Sequence, residues 1–181
     1  EVMEKVSQNI KDTVPAILIL LLVGALAGTW LLSGIIPAMI YYGLQILSPS
    51  LFLVSSVIIS ALVATATGSS WTTSATIGIA LIGIGNSLGV DTAMTAGAVV
   101  SGGYFGDKMS PMSDTTNLAP AVAGIDIITH IKYMVITTVP SIIITLIIFL
   151  VIGFTTKTQG SVNPDDILSA ITNRFTITPW L

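Results

Sequence analysis

The sequence predicts an all-α, polytopic transmembrane helix bundle with interrupted helices. Three observations carry that reading. Charged residues are 8% of the 181-residue chain, against about 25% in an ordinary soluble domain. Residues 13–90 contain no Asp, Glu, Lys or Arg, and a soluble domain needs a charged surface to stay dispersed. Residues 102–120 nevertheless gather two carboxylates, an amine, several hydroxyls, an amide, three glycines and two prolines between apolar flanks. Ionisable groups at membrane depth cost about 2.5–3.5 kcal/mol each on insertion scales. Irregular backbone survives there only where protein buries it or where it lines a wet cavity. The stretch therefore reads as a place that binds something charged. The apolar runs are continuous rather than alternating, which excludes a transmembrane barrel.

The elements follow in chain order. Residues 1–12 mix charges with Val2, Val6 and Ile10 at every fourth position, the pattern of an interfacial amphipathic helix. Residues 14–32 form a first span, near the roughly 20 residues a bilayer requires. Gly24 and Gly28 in it make a small-xxx-small pair suited to close helix packing, or are ordinary membrane-helix glycines. Residues 35–47 are short for a span and hold Pro37, which predicts a kinked or re-entrant helix. Ser48-Pro49-Ser50 is a turn. Residues 51–66 are apolar and run into Thr67-Gly68-Ser69-Ser70-Trp71-Thr72-Thr73-Ser74, a hydroxyl-rich break. Residues 75–88 and 92–105 are two more apolar segments, parted by Gly89-Val90-Asp91. Residues 118–125 are short and 126–132 polar. Residues 133–154 form a long span holding Pro140, and 155–173 a polar surface connection. This amounts to five to seven membrane segments. The expected organisation is an interfacial helix at 1–12, a membrane unit at 13–154, and a polar connection at 155–181 that ends in the start of a further segment. The chain does not begin with Met and ends Thr178-Pro179-Trp180-Leu181, so a piece of a longer protein is expected.

Composition also bounds the chemistry. The absence of cysteine excludes disulfides, thiolate metal sites and thiol catalysis. The single His130 cannot build a histidine cluster. The net charge is −3 with no basic stripe, so no nucleic-acid partner is expected, and no cofactor either. No secretory cleavage pattern follows the first residues.

Asp107 and Asp114 are the leading candidates for chemistry. They flank Pro111, where the backbone cannot continue as regular helix. Loss of water favours the protonated form of a carboxylate and a nearby cation favours the ionised form, which is the physics of exchanging protons for a metal ion. Alternatively the loop lies in water, and Asp107 merely pairs with Lys108. Ser113, Thr115, Thr116 and Asn117 offer the oxygen donors that hard cations prefer, or cap a following helix. Ser69, Ser70 and Thr72 could line the facing break, or back-bond to their own helix. Trp71 is an interfacial anchor or a packing residue. Asn86, Asp91, Asp126, His130 and Lys132 fall at segment ends and read as solvated termini.

Tyr104-Phe105-Gly106-Asp107-Lys108-Met109-Ser110-Pro111, followed by Ser113-Asp114-Thr115-Thr116-Asn117-Leu118-Ala119-Pro120, resembles the signature of the NhaC-type Na⁺/H⁺ antiporters. So do the break at 67–73 with Thr76-Ile77-Gly78-Ile79-Ala80-Leu81, and the stretch 126–140. The likeness runs over about residues 14–154. It implies a secondary antiporter of the ion-transporter superfamily, located in the cell membrane, whose two inverted repeats meet at broken helices. This chain would be the first repeat, with the lipid bilayer and the second half of the same protein as partners and a homodimer as an option. Na⁺ and H⁺ would be the transported ions. Asp114 would be the principal ion and proton carboxylate and Asp107 the second. Ser113, Thr115, Thr116 and Asn117 would supply neutral oxygens, with Asp114, Ser113 and Thr115 as the direct Na⁺ ligands. Ser69, Ser70 and Thr72 would line the facing break. Two rivals remain open: a Na⁺-coupled exchanger of organic acids such as malate and lactate, and an intramembrane aspartyl protease using Asp107 and Asp114. No Arg lies near the loop to hold an organic anion, and both aspartates share one loop rather than two facing helices.

Overall fold

The computed structural model describes residues 2–155 and 164–177. The described residues form helices and loops only. In chain order they are α1 (Val2–Ser33), α2 (Ile35–Ile46), a 3₁₀ turn (Pro49–Leu51), α3 (Phe52–Thr67), α4 (Ser70–Ala75), α5 (Ile77–Ser87), α6 (Thr92–Met109), α7 (Asp114–Ala123), α8 (Ile127–Thr155) and α9 (Pro164–Arg174). The helical expectation for the membrane unit holds, and several boundaries differ. α1 runs without interruption through position 12, so the amphipathic segment and the first span are one helix. Val2, Val6 and Ile10 on it are exposed. The bend expected from Pro37 occurs instead at Gly34, where 24–33 and α2 meet at 70°. Pro37 sits in the first turn of α2, where its missing N–H has no helical partner to lose. Part of the expected polar connection is helical as α9. Residues 178–181, read as the start of another segment, lie outside the described residues.

Two helices among the described residues are long and apolar enough to cross a membrane, Pro49–Thr67 and Ile127–Thr155, or three if the bent pair is one span. This is fewer than the five to seven segments expected. Residues 70–87, the end of the hydroxyl-rich stretch and most of the apolar segment after it, fold as two short helices parted at Thr76. The longer of them, α5, has 11 residues and reaches about 16 Å at 1.5 Å per residue, about half a bilayer core.

The centre of the fold is the pair α3–α6, the most extensive helix contact. Its core holds Phe52, Leu53 and Val57 of α3 with Ala98 and Val99 of α6, closed by Leu81, Ile84 and Leu88. The backbones approach through Gly102 and Gly106. A Cβ on Gly102 would strike the carbonyl of Val57 and lie 3.0 Å from the nitrogen of Ala61. One on Gly106 would strike the carbonyl of Ala61 and lie 2.7 Å from the Ala64 methyl. These two glycines, four apart, form the close-packing motif that the sequence offered at Gly24 and Gly28 as one of two readings. A Cβ at either of those would meet nothing within 4 Å. α8 lies antiparallel to α6, with Phe149 beside Gly97.

Candidate functional site

Two breaks in the helices meet at one end of the α3–α6 pair. The first is Gly68–Ser69. Gly68 ends α3 in the left-handed conformation at φ 71°, which glycine adopts without a Cβ penalty. Ser69 is extended, and its hydroxyl accepts from the Thr72 N–H at 3.2 Å to start α4. The second break is the four-residue turn Ser110-Pro111-Met112-Ser113 between α6 and α7. Pro111 disfavours helical backbone at the residue before it, and Ser110 is accordingly extended. The breaks touch: a Cβ on Gly68 would lie 2.7 Å from the carbonyl carbon of Met112. Both expected interruptions are therefore present and adjacent. The second is narrower than expected, because α6 continues through Gly106, Asp107 and Lys108.

Asp107 thus sits in the last turn of α6, buried at 7% exposure. Its Oδ2 accepts a hydrogen bond from Ser70 Oγ at 3.2 Å, which ties the helix after one break to the helix before the other. Lys108 turns elsewhere. Its Nζ lies 5.3 Å from the centre of the Tyr104 ring and donates to Thr115 Oγ1 at 3.3 Å. Thr116, fully buried, donates to the carbonyls of Asp107 at 3.1 Å and Lys108 at 3.3 Å. It thereby satisfies carbonyls that a helix C-terminus leaves open. Asn117 Nδ2 donates to the carbonyls of Pro111 and Ser113, each at 2.7 Å, and so fastens the turn to α7. Ser113 is buried with its Oγ 3.0 Å from Thr115 Oγ1.

Asp114 lies differently. It is the first residue of α7 and exposed, and its Oδ1 accepts from the Thr115 N–H at 2.7 Å. A carboxylate is stabilised in the first turn of a helix. An inward-facing Asp114 is not found among the described residues. The buried positions of α7 are Thr116 and Pro120, which at about 100° per residue fall on the far side of the helix from Asp114. Of the first break, Ser70 joins the carboxylate, Ser69 serves as a helix cap, and the Thr72 carbonyl accepts from Thr76 Oγ1 at 2.7 Å. Trp71 is exposed. Among the end residues, Asp91 caps α6 by accepting from the N–H groups of Ala93 and Met94, and Asp126 accepts from the Thr129 N–H.

Among the described residues no group of three or more His, Asp or Glu side chains gathers. The junction instead offers one buried carboxylate with hydroxyls and turn carbonyls around it. This is a donor set for a proton or a hard monovalent cation rather than a tightly held transition metal. The sequence reading missed two parts of it. Gly102 and Gly106 were absorbed into the polar stretch although their spacing is a packing signal. Tyr104 and Lys108, one turn apart, carry the aromatic–cation spacing.

The Na⁺/H⁺ antiporter family matches residues 102–181. The chain is 47% identical over 169 residues to a Na⁺/H⁺ antiporter NhaC of Alkalihalophilus pseudofirmus, covering 93% of this chain and 37% of that protein. It is 43% identical to a malate-2H⁺/Na⁺-lactate antiporter of Bacillus subtilis, over 96% of this chain and 37% of the relative. It is 42% identical to an arginine/ornithine antiporter ArcD of Halobacterium salinarum, over 88% of this chain and 33% of the relative. No solved structure matches. The chain spans little more than a third of the length of these relatives, and over that span it is similar to the NhaC-type Na⁺/H⁺ antiporters.

Proposed function

We propose that this chain supplies one half of the ion pathway of a membrane antiporter that exchanges Na⁺ for H⁺, and that the junction of the two breaks binds both ions in turn. The observation that carries the reading is the buried Asp107 carboxylate, held by Ser70 where the interrupted helices touch. Paired interrupted helices point to the substrate site in secondary transporters. Competition of a proton and a cation for one carboxylate couples their movements, because the empty charged site is costly to carry across lipid. On this geometry Asp107 takes the principal role that the sequence gave to Asp114. Asp114 and Thr115 face outward from the junction, where a second repeat would complete the ligand set, and the buried Ser113 hydroxyl backs Thr115 from within. Thr116 and Asn117 shape the turn. The protein acts as a transporter in the cell membrane rather than as an enzyme, in keeping with the antiporter names of the three relatives.

The test uses the full-length protein in vesicles. Asp107→Asn keeps size and some oxygen ligation but cannot exchange a proton, and it is expected to abolish Na⁺-dependent proton movement. Asp114→Asn is expected to lower the apparent Na⁺ affinity and leave exchange measurable. If Asp107→Asn exchanges at the wild-type rate, the reading is wrong.

A further inference from the structure

An open groove of about 540 Å³ runs between α6 and α8, lined in part by Ser101, Tyr104 and Lys108 on one side and Thr137, Thr138 and Ser141 on the other. Each of its serine and threonine hydroxyls is already committed as a donor. Ser101 donates to the Gly97 carbonyl, Thr137 and Thr138 to that of Met134, and Ser141 to that of Thr137. A hydroxyl has one proton to give, so these side chains turn lone pairs toward the groove. The groove therefore accepts hydrogen bonds along α8 and carries a cation on α6. The partners shown for that cation, the Tyr104 ring and Thr115 Oγ1, are both neutral. α8 itself has 29 residues, and none of its most apolar window is buried.

We propose that the α6–α8 groove seats a transmembrane helix from the part of the full-length protein that lies outside these residues, and that this helix brings a carboxylate to Lys108. Three arguments select this occupant. Most of the length of each relative lies outside the matched region, so helices to fill the groove are available in the same polypeptide. Lipid tails offer nothing to a cation with only neutral neighbours, and its exposure at membrane depth is expensive. A second copy docking by this same groove would bring no carboxylate to Lys108, because the lining holds none. The inference concerns packing and stands whichever carboxylate carries the ion.

The chain has no cysteine, so single spin labels can be placed at Ser141 and at Val100 in full-length protein whose remaining cysteines are replaced. In lipid vesicles both labels are expected to be immobilised and to lose access both to dissolved oxygen and to a water-soluble nickel chelate. High oxygen access alone would mean lipid fills the groove, and high nickel access would mean an aqueous path; either overturns the proposal. So would a dipolar broadening that vanishes on dilution with unlabelled protein, since a second copy would then be the occupant. Lys108→Met is expected to lower the thermal stability of the full-length protein in detergent, with Lys108→Arg restoring it. Equal stability of Lys108→Met and wild type would remove the carboxylate from the proposal.

Discussion

The α3–α6 pair and α8 are both apolar, yet they are finished to different degrees. α3 and α6 meet through two glycines at backbone distance and enclose a core in which Phe52, Val57 and Ala98 are fully buried. α8 is the longest apolar span, and none of its most apolar window is buried, against 33% for the span that contains α3. Hydrophobicity does not explain the contrast, because lipid is as apolar as the helix surface and gives helices no apolar reason to associate. What brings α3 and α6 together is shape: small residues at the contact and side chains that fill the space beside them. α8 offers branched side chains and back-bonded hydroxyls, and within these residues it meets no glycine seam of comparable length. The junction of the two breaks lies on the finished pair, which gives it a rigid support.

Five substitutions probe this difference, each read as thermal stability or transport of the full-length protein. The largest effect is expected from Gly106→Val. Its Cβ would strike the Ala61 carbonyl and the Ala64 methyl, and no rotamer relieves a clash at Cβ. A loss of about 3 kcal/mol, the upper end for overpacking, would separate α6 from α3. A folded protein of normal stability would show that the glycine seam is not what joins them. Gly68→Ala comes next. Left-handed backbone costs a non-glycine residue about 1–2 kcal/mol, and the new methyl would press on Met112, so both stability and exchange should fall. Unchanged exchange would mean that contact between the breaks is dispensable. Ser70→Ala removes the only side-chain hydrogen bond to the Asp107 carboxylate among the described residues. At about 1.5 kcal/mol for a bond to a charged acceptor, the apparent Na⁺ affinity should shift roughly tenfold with the fold intact, and an unshifted affinity would remove Ser70 from the site. The smallest effect is expected for Gly24→Ala and Gly28→Ala, where the added methyl meets nothing within 4 Å. Each should be neutral or raise stability by about 0.4–1 kcal/mol, as compatible Gly→Ala changes do. A clear loss at either would place a second glycine seam on α1 against helices outside this chain.

The sequence reading located both breaks because Gly68 and Pro111 act on their own neighbours. A left-handed glycine and a proline reshape the backbone locally, whatever packs around them. It misplaced the edges of the second break for the opposite reason. Gly106 and Asp107 resemble loop residues in a linear reading, yet α6 stays helical through them because Gly106 fits against α3. It missed which glycine pair matters, since Gly24–Gly28 and Gly102–Gly106 have the same spacing and differ only in whether a partner helix faces them.

By itself, then, the sequence determined the solvent in which this chain folds, its helical class, its likeness by motif to the NhaC-type antiporters, and the two positions where helices stop. Composition and local backbone chemistry are properties of residues and their immediate neighbours, so no partner is needed to read them. Only the tertiary structure decided that Asp107 is buried on Ser70 while Asp114 faces outward. It also decided that Asn117 and Thr116 fasten the turn, and that Lys108 leaves its neighbouring carboxylate for a tyrosine ring. Each of these depends on the rotation of one helix against another. A one-residue change turns a side chain by about 100° around its helix, and that angle is set by the glycine contacts between α3 and α6 rather than by any residue read alone.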